Sequence, residues 1–369
     1  MYFNGIGTAV PSRNYTKTEC LESFLTSDWY ARLDSRSHYL LRKVLEHDNG
    51  IQTRYLAVDS LAEVFEITHE TLNKRFLINA PLLATQAAEK ALLNANIKAE
   101  DIDGLIVSTC TGYLCPGLSG YVAERLNLKV DVKAFDLVGQ GCAAALPNFE
   151  LCQSLLGENQ CEYVLSICVE VCSAAMYLDN DPGVLISACL FADGAGAAVL
   201  SRHVSASSLT NPAPLNPLAT PHSKRTIKWI GCTSRIDPSQ RQALMFEHRD
   251  GMLRNILTRA VPAIAATYAL QVLNAMLVAN NLQKQDISTW IMHAGGRDVL
   301  MELEQVLKLQ PTDLKYSAAM LRQYGNVSSA FVYFVLEAAL NDAAPAGWWW
   351  LSSFGAGFSC HGALLRVSE

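Results

Sequence analysis

No two of the eleven cysteines in this 369-residue chain form a CxxC pair. They stand at 20, 110, 115, 142, 152, 161, 168, 172, 189, 232 and 360, mostly in apolar runs such as YVLSICVEVCSAAM. That odd, unpaired set argues against a metal site or a disulfide framework, and in a reducing compartment such thiols act as small hydrophobes. Charge is scarce as well. Only 17% of residues are charged, the net charge is -6, and no basic stripe is interleaved with aromatics, which excludes a nucleic-acid footprint. The opening MYFNGIGTAVPSRNYTKTE has no basic n-region followed by an apolar h-region, so a cytoplasmic protein is expected. A charge-free run at 260–283 contains Pro262, Thr267, Tyr268, Gln271, Asn274, Asn280 and Asn281. Those groups are costly in lipid, and a buried helix with no membrane role is expected there.

What is abundant is apolar residue, half of the chain, enough for two or three compact units. Helix-period and strand-like segments alternate. A helix is expected over 81–96, strands over 103–110 and 130–135, and a helix in AAALPNFELCQSLL. YVLSICVEV and ACLFADGAGAAVL read as strands. HVSASSLTNPAPLNPLATPHSKR carries four prolines and reads as a connector. Beyond it come a strand TIKWIGC, a long helix from about 251 to 282, a strand STWIMH, helices over 297–307 and NVSSAFVYFVLEAAL, and closing strands GWWWLSSF and FSCHGALLRV. The class is α/β.

Self-similarity organises these segments. ALLNANIKAEDIDGLIVSTCTG resembles MLVANNLQKQDISTWIMHAGG, with Asp101 on Asp286, and GQGCAAALPNFELCQSLL falls on YGNVSSAFVYFVLEAAL, with Cys142 on Ser329. ACLFADGAGAAVLS and SSFGAGFSCHGALLRV make a third pair. The chain reads as two copies of one α/β unit, 1–205 and 226–369, joined by 206–225. Packed face to face, such copies would bring three loops together, those carrying Cys142, His293 and Asn326.

Gly139 and Gly141 allow a tight turn at Cys142, and the following helix would aim its free N–H groups at the sulfur, favouring thiolate. Pro147 fits within the first turn of that helix. By position alone, a close-packed buried thiol is an equal reading. His293 ends an apolar strand before AGG, where a parallel sheet displays its site, and could share a proton with the thiol or hydrogen-bond an acyl oxygen. Asn326 in YGNVSS reads alone as a helix cap.

Together GQGC at 139–142, WIMHAGG at 290–296, YGNVSSA at 324–330, LFADGAGAAV and the closing GAGF resemble the thiolase-fold condensing enzymes, most closely the type III polyketide synthases of the chalcone and stilbene synthase family. The resemblance implies a thiolase-like five-layered αβαβα fold of two duplicated halves, a homodimer, and a catalytic triad of Cys142, His293 and Asn326. It implies that Cys142 takes an acyl starter from a coenzyme A thioester. His293 and Asn326 hold malonyl-CoA as it loses carbon dioxide, and no metal or redox cofactor takes part.

The resemblance extends to pocket positions. Phe191 matches a phenylalanine beside the entrance, whereas Asn255 replaces a second phenylalanine. Cys115 matches a methionine that lines the cavity and reaches across the dimer, Cys172 and Ala175 match two threonines, Ser328 keeps a serine, and Phe246 falls near a glycine. For coenzyme A, HDNGIQTRY at 47–55 offers only Arg54, which by itself reads as a solvated charge on an exposed loop, and Asp48 falls where the family has a lysine. An acyl carrier protein is the alternative donor. The rival enzyme is a ketoacyl synthase of the III type, performing one condensation onto a carrier protein. A papain-like hydrolase shares the Cys, His, Asn order, but the duplicated pattern and the lack of a CGSCW-like segment oppose it.

Overall fold

The computed structural model of the chain describes residues 1–157, 161–204 and 225–369. Apart from Arg225, the expected connector at 206–225 lies outside the described residues. The strands are β1 (Tyr2–Ala9), β2 (Asn14–Thr16), β3 (Thr53–Tyr55), β4 (Gly104–Ser108), β5 (Lys133–Leu137), β6 (Tyr163–Glu170), β7 (Gly194–Ser201), β8 (Thr226–Ile236), β9 (Leu244–Arg249), β10 (Met252–Leu257), β11 (Ile287–Met292), β12 (Gly347–Gly355) and β13 (Ser359–Ser368). The helices are α1 (Lys17–Thr26), α2 (Asp28–Arg32), α3 (Ser35–Glu46), α4 (His69–Ala95), α5 (Leu118–Leu126), α6 (Ala145–Gly157), α7 (Pro182–Leu190), α8 (Val261–Ala279), α9 (Arg297–Leu307), α10 (Lys315–Tyr324) and α11 (Phe331–Asn341).

Nine strands are hydrogen-bonded in the order β11-β12-β13-β8-β1-β7-β6-β4-β5. The duplication is visible in that order. β1, β4, β6 and β7 correspond to β8, β11, β12 and β13: β4–β6 and β11–β12 are parallel, while β6–β7, β12–β13, β1–β7 and β8–β13 are antiparallel. Within that sheet two rungs between β1 and β8 join the halves, Tyr2–Lys228 and Phe3–Ile227.

Alternation along the strands creates the layers. Leu105, Val107, Leu165, Ile167, Ala197 and Val199 pack with α4, whereas Ile106, Val164, Cys168, Ala198 and Leu200 point the other way, into the core shared with α6. Helices α6 and α11 each touch strands of both halves, and α8 lies on β8 and β13. The result is the thiolase-like αβαβα arrangement. Helix α8 is long and apolar enough to cross a membrane, but Val261, Ala265, Ala269, Val272 and Leu273 are buried in the core, as a packed helix requires.

Three segments differ from the sequence reading. The start of ACLFADG is not strand: Pro182–Leu190 is helical, opened by Asp181, whose carboxylate accepts from Gly183 and Val184 N–H. It is apolar nearly all round, which hides its period. The long helix expected from about 251 starts only at Val261, because Asp250 and Gly251, both at positive φ, turn β9 back as β10. Helix α4 extends back to His69 and carries Pro81 in its interior.

Candidate active site

Strand β5 ends at Leu137, and the chain turns through Gly139 and Gly141, at φ 83° and 55°, where only glycine is unstrained. Gly141–Ala143 form a 3-10 turn from which α6 continues, with Pro147 third in that helix, inside its first turn as expected. In the other half Ser328–Ala330 form the matching 3-10 turn before α11. Cys142 and Ser329 are the middle residues of the two turns.

The turns meet. The sulfur of Cys142 lies 3.2 Å from Ser328 Oγ. Ser328 N–H donates to Asn326 Oδ1 at 2.9 Å, and Asn326 Nδ2 donates to the Gly295 carbonyl at 3.0 Å. Asn326 is not the cap its sequence suggested, since Val327 holds that position; its side chain instead closes an Asx turn onto Ser328 N–H and with its other atom grips the loop after His293. The His293 N–H donates to the Ser352 carbonyl, while next along β12 Ser353 Oγ donates to the Ala143 carbonyl beside Cys142. Short contacts thus tie all three candidate residues into one cluster.

Electrostatics correct one expectation. Burial pushes the Cys142 thiol up to about 12, and the Ser328 hydrogen bond offsets only part of that rise. The helix start does not make the resting sulfur a thiolate, because losing water outweighs the donors it gains. Burial also lowers His293 to about 3. Its ring lies between Phe331 and Phe354, with centroids 5.4 and 5.0 Å away, and buried Nδ1 has no partner. At neutral pH the site rests as thiol and neutral imidazole.

Cys142 and Ser328 line a chamber of about 50 Å³ with Cys172, Ala175, Phe191, Phe246 and Asn255. These are the expected pocket positions. His293 and Asn326 are nearly fully buried and are not among the residues lining that chamber. Phe191 bridges to Asn326 through the backbone, and Asn255 Nδ2 donates to Ser187 Oγ at 2.7 Å. Phe246 stands between this chamber and a cavity of about 1120 Å³, lining both.

Two further candidates lie outside these two cavities. Cys115 is exposed on the loop between β4 and α5 and does not line either of them. Arg54 is not on an exposed loop: it lies buried in β3, and its guanidinium donates to the carbonyls of Ala188 and Phe191 at 2.7 and 3.0 Å. Its donors fix the end of α7 rather than meeting a phosphate.

Sequence reasoning missed Glu170. Fully buried at the end of β6, it accepts from Cys110 N–H, Thr111 Oγ1, Ser328 Oγ and Ser329 Oγ at 3.0, 2.9, 3.3 and 2.5 Å. Burial raises its pKa despite these donors. The available signal was a lone carboxylate inside the apolar run YVLSICVEV, which costs free energy unless it is fully hydrogen-bonded.

A cysteine at a turn on the seam of two duplicated halves, beside a histidine and an asparagine, in a thiolase-like fold, defines an acyl-transferring condensing enzyme. Residues 11–227 match the family model described as FAE1/Type III polyketide synthase-like protein, and 233–368 match the C-terminal domain of chalcone and stilbene synthases. The chain belongs to the type III polyketide synthase family. It is 29% identical over 369 residues to 1,3,6,8-tetrahydroxynaphthalene synthase of Streptomyces peucetius subsp. caesius, covering 98% of this chain and 92% of that one. It is 27% identical over 366 residues to 3,5-dihydroxyphenylacetyl-CoA synthase of Streptomyces toyocaensis, covering 98% and 89%. The fold matches the crystal structure of 1,3,6,8-tetrahydroxynaphthalene synthase from Streptomyces coelicolor A3(2), with TM-score 0.84, 22% identity and 100% coverage of both chains. It also matches PKS-I of the brown alga Ectocarpus siliculosus, with TM-score 0.84, 24% identity, and 99% and 97% coverage.

Proposed function

We propose that Cys142 carries the growing acyl chain and that His293 and Asn326 serve the decarboxylation of malonyl-CoA. Cys142 gives its proton to His293 as sulfur attacks the carbonyl of an acyl-CoA, and coenzyme A leaves as the thiol after taking that proton. Malonyl-CoA then loses carbon dioxide to form an enolate, whose oxygen accepts hydrogen bonds from the imidazole and the amide. The enolate carbon attacks the acyl thioester and expels Cys142 as a thiolate, which takes a proton from solvent to restore the thiol, leaving a coenzyme A thioester two carbons longer. Reloading repeats the cycle. The reaction calls for donors toward an oxyanion rather than for a metal or an electron carrier.

The contact of Cys142 with Ser328, chained through Asn326 to the His293 loop, carries this reading. Incubation with a panel of acyl-CoA starters and malonyl-CoA, followed by product masses and carbon dioxide release, tests it. Products extended by more than one malonyl unit are expected. Failure to release carbon dioxide with every thioester offered would overturn it, and a single extension made only on a carrier protein would favour the ketoacyl synthase alternative.

Arg54 being buried, the exposed Arg297 with Arg322 and Lys17 is the better candidate for the coenzyme A phosphates. Arg297 Nη1 donates to the Asp48 carbonyl at 2.7 Å, in the segment that the resemblance singled out. The Gly50 N–H, followed by Arg297, Lys17 and Arg322, holds Asp48 below its usual range. A homodimer is supported by edge strand β5, around which Tyr113, Val130, Phe135 and Val138 are exposed.

A further inference from the structure

The chamber beside Cys142 has one wall outside the nine-stranded sheet. The β9–β10 hairpin contributes Leu244, Met245, Phe246 and Asn255, and faces Val184, Ser187, Ala188 and Phe191 on α7 and its end. The separation of hairpin and helix is therefore the width of the chamber. Phe246 and Asn255 pair directly across the hairpin, and the next rung pairs Glu247 with Arg254. Strand alternation turns that rung away from the chamber.

Arg254 is buried, yet it meets three carboxylates. Nε donates to Asp179 Oδ2 at 2.8 Å, Nη1 to Glu247 Oε1 at 3.0 Å, and Nη2 lies 3.3 Å from Asp181 Oδ2. Asp181 caps α7 and Asp179 lies in the segment before it. One guanidinium thus fastens the hairpin to the start of the helix opposite. There is no slack at the base: a Cβ added at Gly183 would stand 2.2 Å from the Leu257 carbonyl oxygen.

We infer that Arg254 is a positioning residue that sets how long an acyl chain the chamber at Cys142 admits. This rests on the reading of Cys142 as the acyl carrier. With the fork engaged the chamber holds about 50 Å³, which favours short or compact starters, and a longer chain has to part the hairpin from α7. The fork geometry requires arginine, because a lysine ammonium is a single point charge that cannot span three acceptors in fixed directions.

Two readouts test this on the full chain, with Arg254→Met and the milder Glu247→Gln. The first is the rate of Cys142 alkylation by octyl- against methyl-maleimide, read by mass on the Cys142 peptide, which needs no catalysis. The second is kcat/KM for octanoyl- against acetyl-CoA with malonyl-CoA. Both ratios are expected to rise by about fivefold or more in Arg254→Met and about twofold in Glu247→Gln, on the scale that added methylenes set in apolar pockets. Carbon dioxide release from malonyl-CoA should stay near the wild-type rate. Unchanged ratios, or a parallel fall for short and long probes, would overturn the assignment. If Arg254→Met does not fold, Glu247→Gln decides alone. Should the wild type condense nothing, the functional reading falls and the maleimide ratio still judges Arg254.

Discussion

The 3-10 turns Gly141–Ala143 and Ser328–Ala330 occupy equivalent places in the two halves, and each leads into a buried helix. Their first residues both adopt positive φ, 55° at Gly141 and 50° at Ser328. Their middle residues differ in use. Cys142 turns its sulfur into the chamber, while Ser329 turns its hydroxyl onto Glu170. Glycine suits the first position of one copy, since a Cβ at Gly141 would stand only 3.0 Å from Ala356 N. In the other copy a serine takes the strained position and reaches Cys142. Duplication supplied two turns, and the difference between them puts a thiol in the chamber from one and a supporting hydroxyl beside it from the other.

The largest effects should break that division of roles. Cys142→Ala is expected to abolish condensation, a loss of roughly 10³-fold or more, while carbon dioxide release from malonyl-CoA persists. His293→Ala should abolish that release as well. Both are read by labelled carbon dioxide and product mass. Equal loss of both reactions in Cys142→Ala would show that the sulfur is not confined to the acyl chain. Glu170→Ala comes next. It leaves the hydroxyl of Ser329 and the N–H of Cys110 without their acceptor, at a cost of about 3 kcal/mol. Urea unfolding measures it. A loss below about 1 kcal/mol would mean that the second turn does not depend on the first half.

The halves also differ in acid. Among the described residues the buried imidazoles, His293 and His361, both belong to the second half, and burial lowers His361 to about 4. Each is neutral when folded but takes a proton near pH 6.5 when unfolded. Their contribution to stability is therefore full above pH 6.5 and is lost as pH falls toward about 4 for His361 and about 3 for His293. For His361 the loss approaches about 3 kcal/mol at 1.36 kcal/mol per unit. His361→Asn should flatten the fall of melting temperature between pH 6.5 and 4 relative to wild type. Parallel curves would contradict the burial of a neutral ring.

Much of this was legible in the sequence because buried parallel strands and their turns repeat residue by residue: Asp101 and Asp286 close equivalent 3-10 turns, and Cys142 and Ser329 sit at the centre of two others. What escaped was context that no period encodes. Helix α7 is buried on too many sides to show a stripe, and the Asp250–Gly251 turn was absorbed into a long apolar segment. Arg54 looked solvated because its acceptors, the carbonyls of Ala188 and Phe191, are more than a hundred residues away. The thiolate expectation failed because local donors are readable in sequence and desolvation is not.

The finest test separates strain from support at Ser328. Its φ of 50° costs a residue with a Cβ about 1 kcal/mol, and its hydroxyl hydrogen bonds return about the same. Ser328→Gly loses both and should change stability by less than about 1 kcal/mol. Ser328→Ala loses only the hydroxyl and should lie about 1 kcal/mol below Ser328→Gly. In both variants Cys142 loses the hydrogen bond that lowers its pKa, so its alkylation by iodoacetamide at fixed pH should slow equally. Equal stability of the two variants would mean that the left-handed turn costs serine nothing. Unequal alkylation would mean that the backbone, rather than the hydroxyl, governs the sulfur, and the contrast between the turns would then lie in their conformation instead of their side chains.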